Sequence, residues 1–215
     1  MSAMQRTLGR EATFVGGRRV TSKEDLELLR MVLSGAVNKR LVNALVAAGL
    51  PAVGISGEDG ALLGAELIDA ATLGFAGRPV AVNADLLRIL MKVGYLPVIS
   101  PVGFDATSSE GGALNVNGDD AAAAIAVALG ADELLLIADV EGVRDGRREV
   151  VPSLSGEGAQ EFIANGVAAA GMAAKLESAQ TALLAGVSCV RICDLAGLCD
   201  PRRGTRVTQS QSVVL

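Results

Sequence analysis

Residues 111–142 read GGALNVNGDDAAAAIAVALGADELLLIADVEG, and the fold class follows from how that stretch is parsed. A glycine pair marks a turn, and an Asn-x-Asn-x-Asp cluster follows at Asn115, Asn117 and Asp119. Asp119 and Asp120 open an alanine-rich run, 121–129, which Gly130 stops, so a helix is predicted there. Acidic residues in a first turn complement the positive end of the helix dipole. Residues 133–138, ELLLIA, are a short apolar run ending at Asp139 and predict a strand buried on both faces. The polar cluster thus sits where the chain enters a helix, and Asp139 sits at the carboxyl end of the next strand. In open α/β sheets that rim is where ligands bind. A single Asn or Asp there is as readily an ordinary helix cap. Three at alternate positions, with a second polar turn one βα unit later, point to a site.

Working outward toward the N-terminus, residues 96–102 (LPVISPV) read as an apolar strand whose Pro97 is near the start, where a missing N–H is tolerated. Before it come a helix over 84–93, a strand over 78–82, a turn at 57–60 and a strand over 52–56. Residues 36–48 predict a helix closed by Gly49. Thr21 or Ser22 caps an earlier helix, with Glu24 and Asp25 in its first turn and Leu26, Leu29, Val32 and Leu33 on one face. The basic pair Arg18-Arg19 just ahead of that helix is either a solvated loop or a bidentate receiver for a carboxylate. Residues 1–13 predict a short helix ending near Gly9.

Toward the C-terminus, 144–148 form a charged hairpin-like loop, 156–164 a helix and 167–171 a small-residue turn. A strong helix over 172–185 carries Lys175 one turn from its start. A strand over 187–192 follows, then a loop containing Gly204-Thr205 and a terminal strand over 211–215. Strands and helices alternate at βαβ spacing. The expected fold is α/β, a three-layer αβα sandwich with one open, mostly parallel central sheet. It is taken as a single domain. No Walker A sequence and no helix-opening Gly-x-Gly-x-x-Gly occurs, so a nucleotide would be held by another arrangement.

Composition removes several functions. The 215 residues are enough for a sizeable core, and half are hydrophobic with 20% charged, which suits a globular chain. A net charge of −5 and one Tyr, four Phe and no Trp argue against duplex and single-strand nucleic-acid binding alike. With no histidine at all, a Ser-His-Asp hydrolase, a His-ligated metal and a His general base are impossible. Cys189, Cys193 and Cys199 follow no metal-ligand spacing and read as small buried residues in a reducing compartment. No apolar run approaches a membrane span and no signal peptide is visible, so a cytoplasmic location is expected.

Six motifs in collinear order carry a family resemblance: FVGGRRVT (14–21), LSGAVNKRLV (33–42), AVGISGEDGALL (52–63), NVNGDDAA (115–122), ADVEGV (138–143) and AGMAAK (170–175). Together they resemble the acetylglutamate kinases, a branch of the amino-acid kinase family. The resemblance implies ATP-dependent phosphorylation of the γ-carboxylate of N-acetyl-L-glutamate, a step of arginine biosynthesis. It implies that Arg19 holds the α-carboxylate and that Asn115, with Asn117 beside it, hydrogen-bonds the substrate. By the same resemblance Asp119 would orient catalytic lysines, Lys175 would stabilise the phosphoryl group in transit, and Asp139, Val140, Gly142, Val143 and Arg144, with Val167, Ala168 and Ala169, would line the ATP site. Residues 1–110 are then mainly substrate-binding and 111–215 nucleotide-binding. The cofactor is ATP with Mg²⁺ held mainly by the nucleotide, no protein metal site is implied, and a homodimer is expected. A carboxylate is already a nucleophile at neutral pH, so such chemistry does without histidine.

The family's Lys-x-Gly-Gly strand and Gly-Gly-Gly loop do not occur in these residues, and Met1-Ser2-Ala3 aligns just after the second. The chain therefore reads as N-terminally truncated, with activity crippled as written. Two alternatives stay open: an inactive ligand-binding or regulatory paralogue, and a fragment that completes a hetero-oligomer. Smaller departures are Gly118, where the family usually has alanine, Ala138, where threonine or serine is usual, and Ala170, where glycine or aspartate is common.

Overall fold

Gly16 and Gly17, at φ 54° and 74°, turn the first described element back on itself. Both values lie in the left-handed region that only glycine enters without penalty. The result is a minimal hairpin, β1 (Phe14–Val15) antiparallel to β2 (Arg18–Arg19). The structure is a computed structural model that describes residues 12–209. It divides into two units, Met1–Ala121 and Ala122–Leu215. The helix expected over 1–13 and the strand expected over 211–215 lie outside the described residues.

In the first unit Ser22 caps α1 (Lys23–Leu29), its hydroxyl accepting from the Asp25 N–H, with Glu24 and Asp25 in the first turn as expected. The helix does not break at Ser34-Gly35. A π-helical stretch, Arg30–Val37, carries the chain without interruption into α2 (Asn38–Ala47). A hydroxyl pair, Ser34 with Ser100 at 2.6 Å, fixes that stretch to the strand beneath it. Then follow β3 (Ala52–Gly57), a 3₁₀ turn (Asp59–Ala61), β4 (Leu63–Leu67), α3 (Ala70–Leu73), β5 (Ala76–Val82), α4 (Ala84–Lys92), β6 (Leu96–Asp105) and β7 (Ala113–Val116).

The sheet order is β3-β6-β4-β5-β7, and β6 also pairs with β7. Pairing is mostly parallel with an antiparallel minority: β3–β6, β4–β6 and β5–β7 run parallel, β4–β5 and β6–β7 antiparallel. The reason is connection length. Residues 68–75 and 106–112 are too few for a parallel crossover, which needs a dozen or more, so the chain can only fold straight back. Because β6 meets β4 on one side and β7 on the other, β4, β5, β7 and the end of β6 close on themselves. Gly103 permits this, since a Cβ there would stand 2.7 Å from the Leu63 carbonyl oxygen. Leu63, Ala65, Leu114 and Val116 fill the interior.

The helix α5 (Gly118–Leu129) begins in the last residues of the first unit and runs on into the second. There β8 (Glu133–Ile137), β9 (Ser153–Ser155), α6 (Gly156–Ala164), α7 (Ala170–Leu184), β10 (Cys189–Cys193), a 3₁₀ turn (Leu195–Leu198) and β11 (Thr205–Thr208) follow. The order is β8-β10-β11-β9, parallel except for β10–β11, which a short loop again forces to be antiparallel. Leu134, Leu136, Leu154, Leu176, Val190 and Ile192 anchor the core. Arg191, buried in β10, donates to the carbonyls of Gly197 (2.6 Å), Asp200 (3.3 Å) and Arg203 (3.4 Å), stapling the loop before β11. Cys189 and Cys193 are buried, and burial pushes both thiols up; Cys199 is exposed, contrary to the buried reading. Among the described residues no helix is long and apolar enough to cross a membrane.

Candidate functional site

Three short segments of the first unit converge on one cavity of about 230 Å³. The hairpin strand β2 brings Arg18 and Arg19, β7 brings Asn115, and the entry to α5 brings Asn117 and Gly118. Leu29 and Leu33, together with Ile68 and Val116, make the apolar part of its wall. Arg19 and Asn115, distant in sequence, therefore share a lining.

Each polar side chain is held by neighbours with a separate cause. The Arg19 guanidinium lies over the Phe14 ring, 4.7 Å from its centroid. Burial lowers its pKa from the ordinary arginine value, with the nearby Asp25 charge acting the other way. Arg18 donates to Asp120 Oδ2 at 2.6 Å. The Asn115 amide donates to Thr21 Oγ1 at 2.9 Å, and the fully buried Thr21 hydroxyl donates to the Arg19 carbonyl at 3.1 Å. Thr21, which the sequence suggested only as a cap, thus links Asn115 to the strand carrying Arg19. Asn117 does the capping work of α5: its Oδ1 accepts from the backbone N–H groups of Asp119 (2.8 Å) and Asp120 (3.3 Å). Asp119 stands in the first turn of that helix. A Cβ at Gly118 would meet nothing within 4 Å, so the alanine usual in the family fits here.

In the second unit, residues 139–144 form the turn after β8. Val143 is fully buried, and its N–H donates to Thr205 Oγ1 at 2.8 Å, while the Thr205 hydroxyl donates to the Val151 carbonyl at 2.7 Å. Gly142 packs against the same threonine, whose Oγ1 a Cβ would approach to 2.8 Å. Arg144 makes a β-bridge to Val150, and Glu141 pairs with Arg203 at 3.3 Å. Asp139 and Val140 stand on the same turn. Val143 shares one core with Ala168, while Val167 is exposed and Ala169 is the N-cap of α7. Ala170 takes a left-handed φ of 46°, a conformation that glycine adopts more easily. Lys175 lies in the second turn of α7. Sequence reading placed Thr205 in a loop; its position on β11, tying 143 to 151, had no local signal.

The model of the amino acid kinase family matches residues 2–194. The chain belongs to the amino acid kinase family. It is 49% identical over 187 residues to the acetylglutamate kinase of Paracoccus denitrificans, covering 87% of this chain and 60% of that one. The crystal structure of smu.665 from Streptococcus mutans UA159 superposes with a TM-score of 0.86 at 30% identity, over 96% of this chain and 80% of that one. N-acetylglutamate synthase from Neisseria gonorrhoeae, complexed with coenzyme A and N-acetyl-glutamate, gives 0.82 at 26% identity, over 96% of this chain and 49% of that one. The chain spans between 60% and 66% of the length of the first curated relatives it matches. Their names, all acetylglutamate kinase, lend no support to a crippled kinase, an inactive paralogue or a hetero-oligomer fragment.

Proposed function

We propose that the chain phosphorylates the γ-carboxylate of N-acetyl-L-glutamate at the expense of ATP, a step of arginine biosynthesis. The observation that carries this reading is the cavity in which Arg19 and Asn115 share a lining with Leu29, Leu33 and Ile68. An acylated amino diacid needs a guanidinium for its α-carboxylate, an amide for its polar groups and an apolar wall for its acetyl group. Its size also fits a compact ligand rather than a polymer.

The first unit then holds the acceptor and the second the nucleotide, along residues 139–144 and 167–169. An oxygen of the acceptor carboxylate attacks the γ-phosphorus, the bond to the bridging oxygen breaks, and ADP leaves with that electron pair. No proton has to be removed from the nucleophile. Arg19 and Asn115 orient the acceptor, which is where most of the rate enhancement of an in-line transfer arises. The role assigned to Lys175 is to neutralise charge on the transferring oxygens with its ammonium, and that of Asp119 is to orient such cations. Among the described residues no group of three or more Cys, Asp or Glu side chains could hold a metal. On this reading Mg²⁺ enters with the nucleotide, where it neutralises phosphate charge. A homodimer completes the reading, for reasons of helix burial given below.

The test is hydroxylamine trapping of acetylglutamyl phosphate with ATP and Mg²⁺, alongside calorimetry with acetylglutamate. Arg19→Ala and Asn115→Ala should each weaken acetylglutamate binding about 10- to 100-fold, the loss of one hydrogen bond to a charged group. Lys175→Ala should leave that binding intact and abolish turnover. Unchanged binding in both of the first two variants would overturn the assignment.

A further inference from the structure

The basic pair at the cavity divides its work, and the substrate reading uses only Arg19. We propose that Asp120 is a positioning residue. Through its ion pair with Arg18 it latches the β1–β2 hairpin to the start of α5 and so sets where Arg19 stands in the cavity.

The Thr21 hydroxyl holds the carbonyl of Arg19 at 3.1 Å, at the end of β2, and the Arg18–Asp120 pair holds the ribbon from its side-chain face. Each strand is two residues long, below the length at which a two-stranded ribbon is stable by itself. Phe14 and Val15 are 54% and 47% exposed, so β1 contributes no buried anchor. The turn is a pair of glycines, both left-handed, the pair with the most backbone freedom to lose. Backbone bonds tie its base, Val20 N–H to Thr13 O at 3.0 Å and Thr21 N–H to Leu73 O at 3.0 Å, but these fix where the ribbon starts and not the angle at which it leaves.

The other end of the latch is the capped start of a long helix. Asp120 sits in the first turn of a twelve-residue helix, its own N–H donating to the Asn117 cap at 3.3 Å. A carboxylate there is favoured by the helix dipole before any partner arrives. The Arg18 guanidinium meets it at 2.6 Å with 32% and 17% of the two side chains exposed, more shielded than an ordinary surface pair. Both Arg18 and Arg19 line the cavity from adjacent positions of one strand, so a shift that releases the first also moves the second.

This inference rests on the substrate reading for its consequence but not for its cause, and two measurements separate them. Hydrogen exchange of the free full chain, wild type and Asp120→Asn, reads the hairpin directly. Amides of the peptide spanning residues 13–20 should exchange at least about tenfold faster in the variant, while those of β8 and β10 are unchanged. Calorimetry should then show acetylglutamate bound about tenfold more weakly by Asp120→Asn. Arg18→Leu should match it in both readouts, and Arg18→Lys, which keeps the charge, should recover part of each. Equal exchange in wild type and Asp120→Asn would overturn the latch. Faster exchange with unaltered affinity would overturn the positioning of Arg19. A wild-type chain that binds no acetylglutamate would overturn the substrate reading, and the exchange result alone would then decide the latch.

Discussion

Arg203 forms the best-defined ion pair among the described residues, and it makes a pH prediction with a fixed sign. Its Nε and Nη2 meet the two oxygens of Asp194 at 2.8 and 2.6 Å, the planar fork matching a carboxylate. The Arg203 bond, with further backbone N–H donors, lowers the Asp194 pKa from 3.8 to about 2. A carboxyl whose folded pKa is depressed stabilises the fold fully above its unfolded pKa. That contribution is lost as pH falls through the folded value. Thermal melts of the wild type should therefore lose a component of stability between about pH 4 and pH 2 that Asp194→Asn lacks at every pH. Identical acid limbs in the two proteins would show the pair to be an idle surface contact. Asn117 makes a related point about reading residues from sequence. The choice between a cap and a ligand was posed as an alternative, and the structure gives the cap to Asn117 and a cavity position to it as well.

At the scale of elements, helices were legible where a cap and a stop bracket an apolar face. The cap of α1, the stop of α5 at Gly130 and both ends of α6 lie where the sequence placed them. Elements with no such punctuation were not. The strand β4 contains Gly64 and Ala65, small residues chosen because the closing sheet leaves no room, and they erase the alternation that marks a strand. The hairpin β1–β2 is too short to show a period. Ser34-Gly35 looked like a break, yet the chain crosses it by widening to π geometry. The antiparallel pairs were hidden because direction was inferred from element order, whereas connection length decides it.

One contact between elements carries a stability prediction. The helix α2 crosses β3 at Gly54, where an added Cβ would overlap Asn38 Oδ1 and lie 2.8 Å from Lys39 Nζ. The buried Asn38 donates to the carbonyls of Val98 at 2.8 Å and Ile55 at 3.3 Å, bridging two strands. Gly54→Ala must push that amide aside, so it should cost about 1–3 kcal/mol, seen as a lower urea midpoint at unchanged slope. A midpoint equal to wild type would mean the helix can lift without loss.

For the whole molecule, the same helix poses a problem that the described residues do not solve. Asn38 is the one buried residue of α2, although the helix carries Leu41, Val42, Leu45 and Val46. Leu41 and Val46 are 48% and 53% exposed, and Val37 just before them is 38% exposed. Scattered exposed leucines need no explanation, but a helix that half-buries Val42 and Leu45 on one side and leaves Val37, Leu41 and Val46 exposed on the other presents half of a packing arrangement. A second copy supplies the other half most economically, because two-fold symmetry lets one self-complementary helix face bury itself. The proposed homodimer follows from this, and Leu41→Glu tests it. A charge at the centre of such a contact has no partner, and the cost of burying it should weaken association on the order of 100-fold. Sedimentation of the wild type at micromolar concentration should show a dimer and Leu41→Glu a monomer with its circular dichroism unchanged, since position 41 faces solvent within the chain. A wild-type monomer at that concentration would overturn the proposal; a dimer indifferent to Leu41→Glu would move the interface elsewhere and overturn the role of α2.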